Sequence, residues 1–240
     1  MKYSYKYPRP ALAVDAVVFG IHANSRLHVL LIERGEAPFL GSWALPGGFV
    51  LQDEDLSTAV RRELLEETGI NPVALWQLGA FGDPLRDPRG RVVSVAWTAL
   101  VRVSEHSAHA STDAVAAQWF NVEALPELAF DHAQILGLAR RRLAEQITRS
   151  PVVSALLPEE FTLTQWQMVQ ESVLGRTLDK RNFRKWAKSR SWASGTGRLQ
   201  TGVAHRAAQL YRFVRTDQTD AESPLFSPDA RHHRNQMPRG

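Results

Sequence analysis

The sequence predicts two globular units: a mixed α/β domain over residues 1–150, and a small helix-turn-helix domain with a β-hairpin wing over residues 161–215. Three observations carry that expectation. The 240 residues exceed the roughly 100 to 150 of a usual domain. Short apolar runs and amphipathic helical repeats are mixed through the first half. The charge balance also changes sign along the chain: residues 1–150 hold 15 Lys/Arg against 17 Asp/Glu, whereas residues 151–240 hold 14 against 8.

The elements follow in order. Ala11 to Phe19 and His28 to Ile32 are β-branched, apolar runs separated by the polar His22-Ala23-Asn24-Ser25, which reads as a β-hairpin. The most apolar stretch, Ala11 to Ile21, is interrupted by Asp15 and falls far short of the roughly 20 residues that cross a bilayer. No membrane partner is therefore expected. From Asp55 to Thr68, Leu56, Ala59, Val60, Leu64 and Leu65 recur at helical spacing, and Gly69 supplies the stop. Strands are expected near Leu75 to Gly82, Val92 to Val103 and Ala117 to Val122, with Pro84, Pro88 and Gly90 turning the chain between the first two. Asp131 to Thr148 closes the half as an amphipathic helix with Ile135, Leu136, Ala139, Leu143 and Ile147 on one face. Residues 151–160, bounded by prolines, read as a linker.

In the second half, Phe161-Thr162-Leu163-Thr164 is an N-cap region ahead of Trp166, Val169, Val173 and Leu174, and Gly175 ends that helix. Asp179 caps a second helix running to about Arg190. Ser194-Gly195-Thr196-Gly197 breaks the chain before a strand over Gln209 to Val214, the return strand of a wing. Residues 216–240 are polar and aperiodic, and a disordered tail is expected there.

Composition excludes several chemistries. Without cysteine there is no disulfide, thiolate metal site or cysteine nucleophile. The N-terminus shows no apolar h-region or cleavage site, so a cytoplasmic location is expected.

Glu63, Glu66 and Glu67 project from one helix face within a single turn, and would repel one another without a cation. Clustered carboxylates suit Mg²⁺ or Mn²⁺, ions that commonly bridge protein to substrate phosphates. Gly47-Gly48 lets the backbone approach an ion and a diphosphate, with the Gly48 carbonyl as a further ligand. Arg62 is placed to steer Glu54 or a carboxylate of the cluster. Alone, Glu-x-x-Glu-Glu is more often a solvated acidic face. The whole segment changes that reading: Gly48, five residues, Glu54, seven residues, then Arg62-Glu63-Leu64-Leu65-Glu66-Glu67-Thr68-Gly69-Ile70 matches every fixed position of the Nudix hydrolase signature.

This resemblance implies an α/β/α sandwich and hydrolysis of a nucleoside diphosphate linked to another moiety, with metal-activated water as nucleophile. It makes Glu63 and Glu67 the main metal ligands with the Gly48 backbone, and Glu66 a further or water-mediated one. For Nudix enzymes acting on ADP-ribose the general base can come from a later loop, where Asp113 is the residue to test; a plain loop aspartate is equally compatible. Such enzymes often carry a proline about fifteen residues past the box glycine, where Pro84 stands in Phe81-Gly82-Asp83-Pro84. Arg86, Arg89 and Arg91 lie in the same loop and can pair with phosphate, and Phe81 either stacks on adenine or, more safely, packs in the core. Arg34, Gly47, Gly48, Phe81, Asp83, Pro84, Arg86 and Arg89 form the expected ligand-binding set.

On the helix after Asp179, Lys180, Arg184 and Lys188 form one stripe and Arg181 with Lys185 a second, while Phe183, Trp186 and Ala187 point elsewhere. The cationic side suits a DNA groove, Arg181 and Asn182 being placed to read bases and the others to hold phosphates. Arg198, in the expected wing, completes the set. A solvated basic face is the plainer alternative, but eleven basic residues against the single acid Asp179 between Arg176 and Arg215 weigh against it.

From Pro8 to Val214 the layout resembles the NrtR-type, Nudix-related transcriptional regulators of NAD metabolism, in which a Nudix domain precedes a winged helix. Pro8 to Leu12, Trp43 to Val50, Phe81 to Pro84, Ala129-Phe130-Asp131-His132, Leu178 to Lys185 and Leu210 to Phe213 carry the likeness. It implies a repressor of NAD biosynthesis or salvage genes, ADP-ribose as the anti-repressor, and a homodimer on palindromic operator DNA. Mg²⁺-dependent cleavage of ADP-ribose to AMP and ribose 5-phosphate is the alternative reading, compatible with the first. One departure is Ala207, where the family usually has proline.

Overall fold

The computed structural model describes residues 6–22, 26–103, 114–202 and 207–214. Seven strands form one sheet: β1 (Ala11–Ile21), β2 (Leu27–Arg34), β3 (Trp43–Ala44), β4 (Gly47–Phe49), β5 (Ala74–Phe81), β6 (Val92–Val101) and β7 (Ala114–Asn121). Central β1 runs parallel to β6 along ten residues, and its other edge is shared between β2 at one end and β4 at the other. Because side chains alternate along a strand, β1 feeds two cores. Val14, Ala16 and Val18 face helix α1 (Leu56–Thr68) with Ala59, Val60 and Leu64, whereas Val17 and Phe19 face helix α2 (His132–Gln146) with Ile135, Ala139 and Leu143. The arrangement is the expected α/β/α sandwich.

Local chemistry sets the helix ends. The Asp55 carboxylate accepts from the Ser57 and Thr58 amides to open α1, and Gly69 closes it in the left-handed conformation that costs glycine least. Helix α3 (Leu163–Leu174) opens with a full capping box, Thr162 and Gln165 satisfying each other's amides, and ends at left-handed Gly175. Asp179 caps helix α4 (Lys180–Ser189) through the Asn182 amide. Beside these helices lies a three-stranded sheet, β8 (Phe161–Thr162), β10 (Gln209–Phe213) and β9 (Ala193–Leu199) in that order.

Two expectations need correction. Residues 151–160 are no free linker: Pro151–Leu156 form a 3-10 helix, and Val153, Ala155, Leu156 and Leu157 are buried in the core that also holds α2 and α3. The flanking prolines suggested a spacer, but the apolar run between them is what decides. Ser194 to Gly197 do not break the chain; they lie within β9, whose backbone pairs with β10 across a register shift despite two glycines. The short strands β3, β4 and β8 escaped notice because two or three residues carry no periodicity. The return strand β10 forms with Ala207 ahead of it.

Trp166 anchors the second domain, with the rings of Phe161, Phe183, Trp186 and Phe213 all within 5.9 Å of it. No helix among the described residues is long and apolar enough to cross a membrane.

Candidate functional site

Antiparallel pairing of β4 with β1 sets Gly47 opposite Asp15 and Gly48 opposite Val14. Gly47 is required by close approach, since a Cβ there would strike the Val14 carbonyl; one on Gly48 would push the Glu63 carboxylate out of its place. The Gly47 amide donates to Glu67 Oε2 at 2.8 Å, fastening the glycine strand to α1. Arg62 ties the acidic cluster together. Its guanidinium donates to Glu54 at 2.6 and 3.0 Å, to Glu63 at 2.8 Å, to Glu66 at 3.1 Å and to the Phe49 carbonyl at 3.2 Å. Glu54 titrates below its ordinary range because of Arg62, whereas burial, and then Glu66 and Glu54 nearby, push Glu63 up against the pull of Arg62.

Among the described residues no three acidic or histidine side chains converge on a point that could hold a metal ion. The donor set still suits a divalent cation, since Glu63 lies against the Gly48 backbone and Glu67 holds Gly47, all hard oxygens or their immediate supports.

Beside the glycines opens a cleft of about 50 Å³ lined by Asp15, Arg34, Gly47, Gly48, Phe49, Arg86, Arg89, Phe130 and His132 among others. A neighbouring space of about 450 Å³ shares Arg86 and Phe130 and adds Phe39, Asp83, Leu85 and Asp131. Phe130 and Arg86 line both. Arg34 lies 4.9 Å and Arg89 5.7 Å from the Phe130 ring centroid, and Arg89 also covers Phe49 at 5.1 Å. Arg34 titrates lower than a free guanidinium through burial and then through Arg89, while Arg89 is itself held by Asp87 at 2.7 Å and titrates higher. Phe39 and Phe130 both hold positive φ, 63° and 55°, a conformation bulky residues rarely adopt and one that clusters at functional sites.

Beneath the cleft, the Asp15 carboxylate accepts from Ser94 Oγ at 2.5 Å and from Arg86 at 3.1 Å, and faces His132 Nε2 at 3.4 Å. His132 Nδ1 accepts the Leu45 amide at 2.9 Å, which assigns the ring proton to Nε2, pointing at Asp15. Burial works against the Asp15 charge, but His132, Ser94 and Arg86 together bring its pKa down to about 2. With the folded value below the ordinary 3.8, the resulting stability is present above about pH 4 and is lost as pH falls toward 2. It amounts to about 2 kcal/mol. Urea unfolding of the wild type and Asp15→Asn from pH 6 to pH 3 should show the gap between them narrowing by about half; a constant gap would refute the assignment.

The sequence-predicted ligand residues divide. Arg34, Gly47, Gly48, Arg86 and Arg89 line the cleft, and Asp83 lines the neighbouring space. Pro84 is exposed and lines neither; Phe81 packs on the core, and the rings that line these spaces are Phe130, Phe49 and Phe39 instead. Arg86 is not offered to phosphate, because its guanidinium, 4% exposed, donates to Asp131 at 2.7 and 3.0 Å as well as to Asp15. Asp113 lies outside the described residues. Sequence reasoning passed over Asp15, Phe130, Asp131 and His132 as site residues, though a charge inside the apolar run of β1 was a signal.

On the second domain, α4 buries Phe183 and Ala187 and exposes Lys180, Arg181, Asn182, Arg184, Lys185 and Lys188. None of these five cations is ion-paired among the described residues. Arg198 projects from β9 and pairs with Glu160 at 3.1 Å.

Comparison with known families matches residues 9–138 to the NUDIX domain and residues 153–213 to the NrtR DNA-binding winged helix domain. The ADPR responsive transcriptional repressor NtrR of Acinetobacter baylyi is 36% identical over 95% of this chain and 91% of its own length. The chain belongs to the NrtR family of Nudix proteins. Its likeness extends to solved NrtR structures: Shewanella oneidensis NrtR complexed with a 27mer DNA superposes with a TM-score of 0.71 at 36% identity, covering 85% of this chain and 93% of that one. The NUDIX domain of the same NrtR complexed with ADP ribose gives 0.54 at 39% identity, over 59% of this chain and 94% of that one. In this NrtR-family chain, then, the acidic cluster and cleft belong to the NUDIX part and the α4 cations to the winged helix.

Proposed function

We propose that this protein is a transcriptional repressor of NAD biosynthesis or salvage genes that grips operator DNA through its winged helix and is released by ADP-ribose bound in the Nudix domain. The observation that carries it is the exposed row of unpaired cations on α4, presented by a domain matched to the NrtR winged helix and joined to a domain whose cleft is lined by Arg34, Arg86 and Arg89. Lys180, Arg184, Lys185, Lys188 and Arg198 hold phosphates, and Arg181 with Asn182 reads base edges. Helix α4 docks as the recognition helix of a homodimer on a palindromic site, in the cytoplasm.

Arg34 and Arg89 suit the diphosphate of ADP-ribose, and the Phe130, Phe49 and Phe39 faces suit its adenine. The cleft alone is smaller than the roughly 300 Å³ or more of a nucleotide pocket, so the ligand would extend into the neighbouring space that shares Arg86 and Phe130. Glu63 and Glu67, with Glu66 and the Gly48 carbonyl, would hold Mg²⁺ or Mn²⁺, an ion that supplies neutralisation of the diphosphate charge. Hydrolysis is the lesser reading, because the likeness to the repressor spans nearly the whole chain.

Mobility shift on the upstream regions of NAD genes, with and without ADP-ribose, tests the proposal; no shift at low salt would sink it. Calorimetric titration of Mg²⁺ or Mn²⁺ with ADP-ribose present should show Glu67→Gln losing at least about tenfold in metal affinity, by loss of a ligand charge. Equal titration of variant and wild type would remove Glu67 from the metal site.

A further inference from the structure

Two elements that carry polar groups of the cleft run out to the same helix of the winged-helix domain. Strand β2 bears Arg34 at one end, stacked on Phe130, and at the other end its Leu27 amide donates to Ser172 Oγ at 2.6 Å. Helix α2 begins beside the cleft with Asp131 and His132, and just past its last turn the Ile147 carbonyl accepts from buried Gln170 Nε2 at 3.4 Å. From their rise per residue, each element spans about 22 Å. Ser172 and Gln170 lie two residues apart on α3, which also carries Trp166, 5.8 Å from the Phe183 ring of α4.

Neither element can absorb a displacement near the cleft by local give. Leu27, Ile135, Leu143 and Ile147 are essentially inaccessible to solvent and belong to one core with Trp166, Val169 and Val173, and close-packed interiors transmit strain. Asp131 at the head of α2 makes no side-chain capping bond to its own helix and is held by Arg86 instead. A ligand that disturbs Phe130 or Arg86 therefore acts on the start of α2, while one that engages Arg34 acts on the end of β2.

We propose that Ser172, with Gln170 in support, is a coupling residue: it fastens α3 to the far ends of β2 and α2, so that occupancy of the cleft is felt at the recognition helix. The inference rests on the reading that ADP-ribose weakens operator binding. Its test uses the full-length chain, a labelled duplex from an upstream region that the wild type shifts, and ADP-ribose. Anisotropy titrations give the DNA dissociation constant with and without saturating ADP-ribose for the wild type, Ser172→Ala, Ser172→Thr, Gln170→Leu and Ser172→Ala/Gln170→Leu. The wild-type ratio should fall within about 5 to 150, the usual span of allosteric coupling. Ser172→Ala should lower that ratio at least about threefold with ligand-free DNA affinity kept within about twofold, Ser172→Thr should restore it, and the double variant should bring it near one. By reciprocity, saturating DNA should weaken ADP-ribose binding less in Ser172→Ala by the same factor. Wild-type ratios in Ser172→Ala, Gln170→Leu and the double variant would overturn the coupling role while leaving the repressor reading intact. A wild type that binds both ligands without mutual effect would instead overturn the reading that ADP-ribose releases the operator.

Discussion

Replacing Lys180, Arg184 and Lys188 together by glutamine should flatten the dependence of operator affinity on salt, reducing the slope of log K against log salt by about 2.7, or about 0.9 for each phosphate no longer neutralised. Over a fourfold rise in salt the wild type would then lose about fortyfold more affinity than the variant. The stripe is exposed on α4, whereas the side chains seating that helix, Phe183 and Ala187, are buried beside it and are untouched. Thermal stability should therefore remain at the wild-type level, since exposed charges without partners contribute little. Arg181→Ala should behave differently, relaxing discrimination at one base pair by about 1 to 3 kcal/mol with a small change in slope. An unchanged salt slope in the triple variant would show that the stripe meets no phosphate.

The second large effect concerns stability. Arg86→Ala should cost about 3 to 5 kcal/mol, because it leaves the carboxylates of Asp15 and Asp131 inside the protein without their shared cation. In a chain of this size that corresponds to a melting temperature lower by about 10 °C, measurable by calorimetry. Arg86→Lys should recover part of the loss, since a lysine restores charge but not the paired donors that reach both Asp131 oxygens. Adding Asp15→Asn and Asp131→Asn to Arg86→Ala should also recover part, by removing the stranded charges. If Arg86→Ala melts with the wild type, this ion cluster does not hold the sheet to α2.

The α4 stripe and the Arg86 cluster were unequally legible in the chain. The stripe was readable residue by residue, because on a helix capped by Asp179 a spacing of four places Lys180, Arg184 and Lys188 on one face wherever the helix docks. The acidic face of α1 was legible for the same reason, and the capping residues Asp55, Thr162 and Asp179 marked their helices through bonds made within four residues. Arg86 was misread. In sequence it is one of three arginines in a loop; only the fold brings it to Asp15, 71 residues earlier, and Asp131, 45 residues later. Phe130 was passed over on similar grounds, and Phe81 was left open between ligand and core, since nothing local distinguishes an aromatic ring that packs from one that lines a cleft.

By itself the sequence determined the helices, their caps, the carboxylate face, the basic stripe and the sign change between the two halves. Each of these is set by interactions within a few residues, or by a periodicity that survives any docking. The tertiary structure alone decided the rest. It turned the segment after α2 from a spacer into part of a shared core, placed Gly48 against Glu63, buried Arg86 between two carboxylates, and set the Leu27 amide on Ser172, 145 residues away. Those contacts follow from which surfaces exclude water together, a property of the assembled sheet and helices that no spacing along the chain encodes.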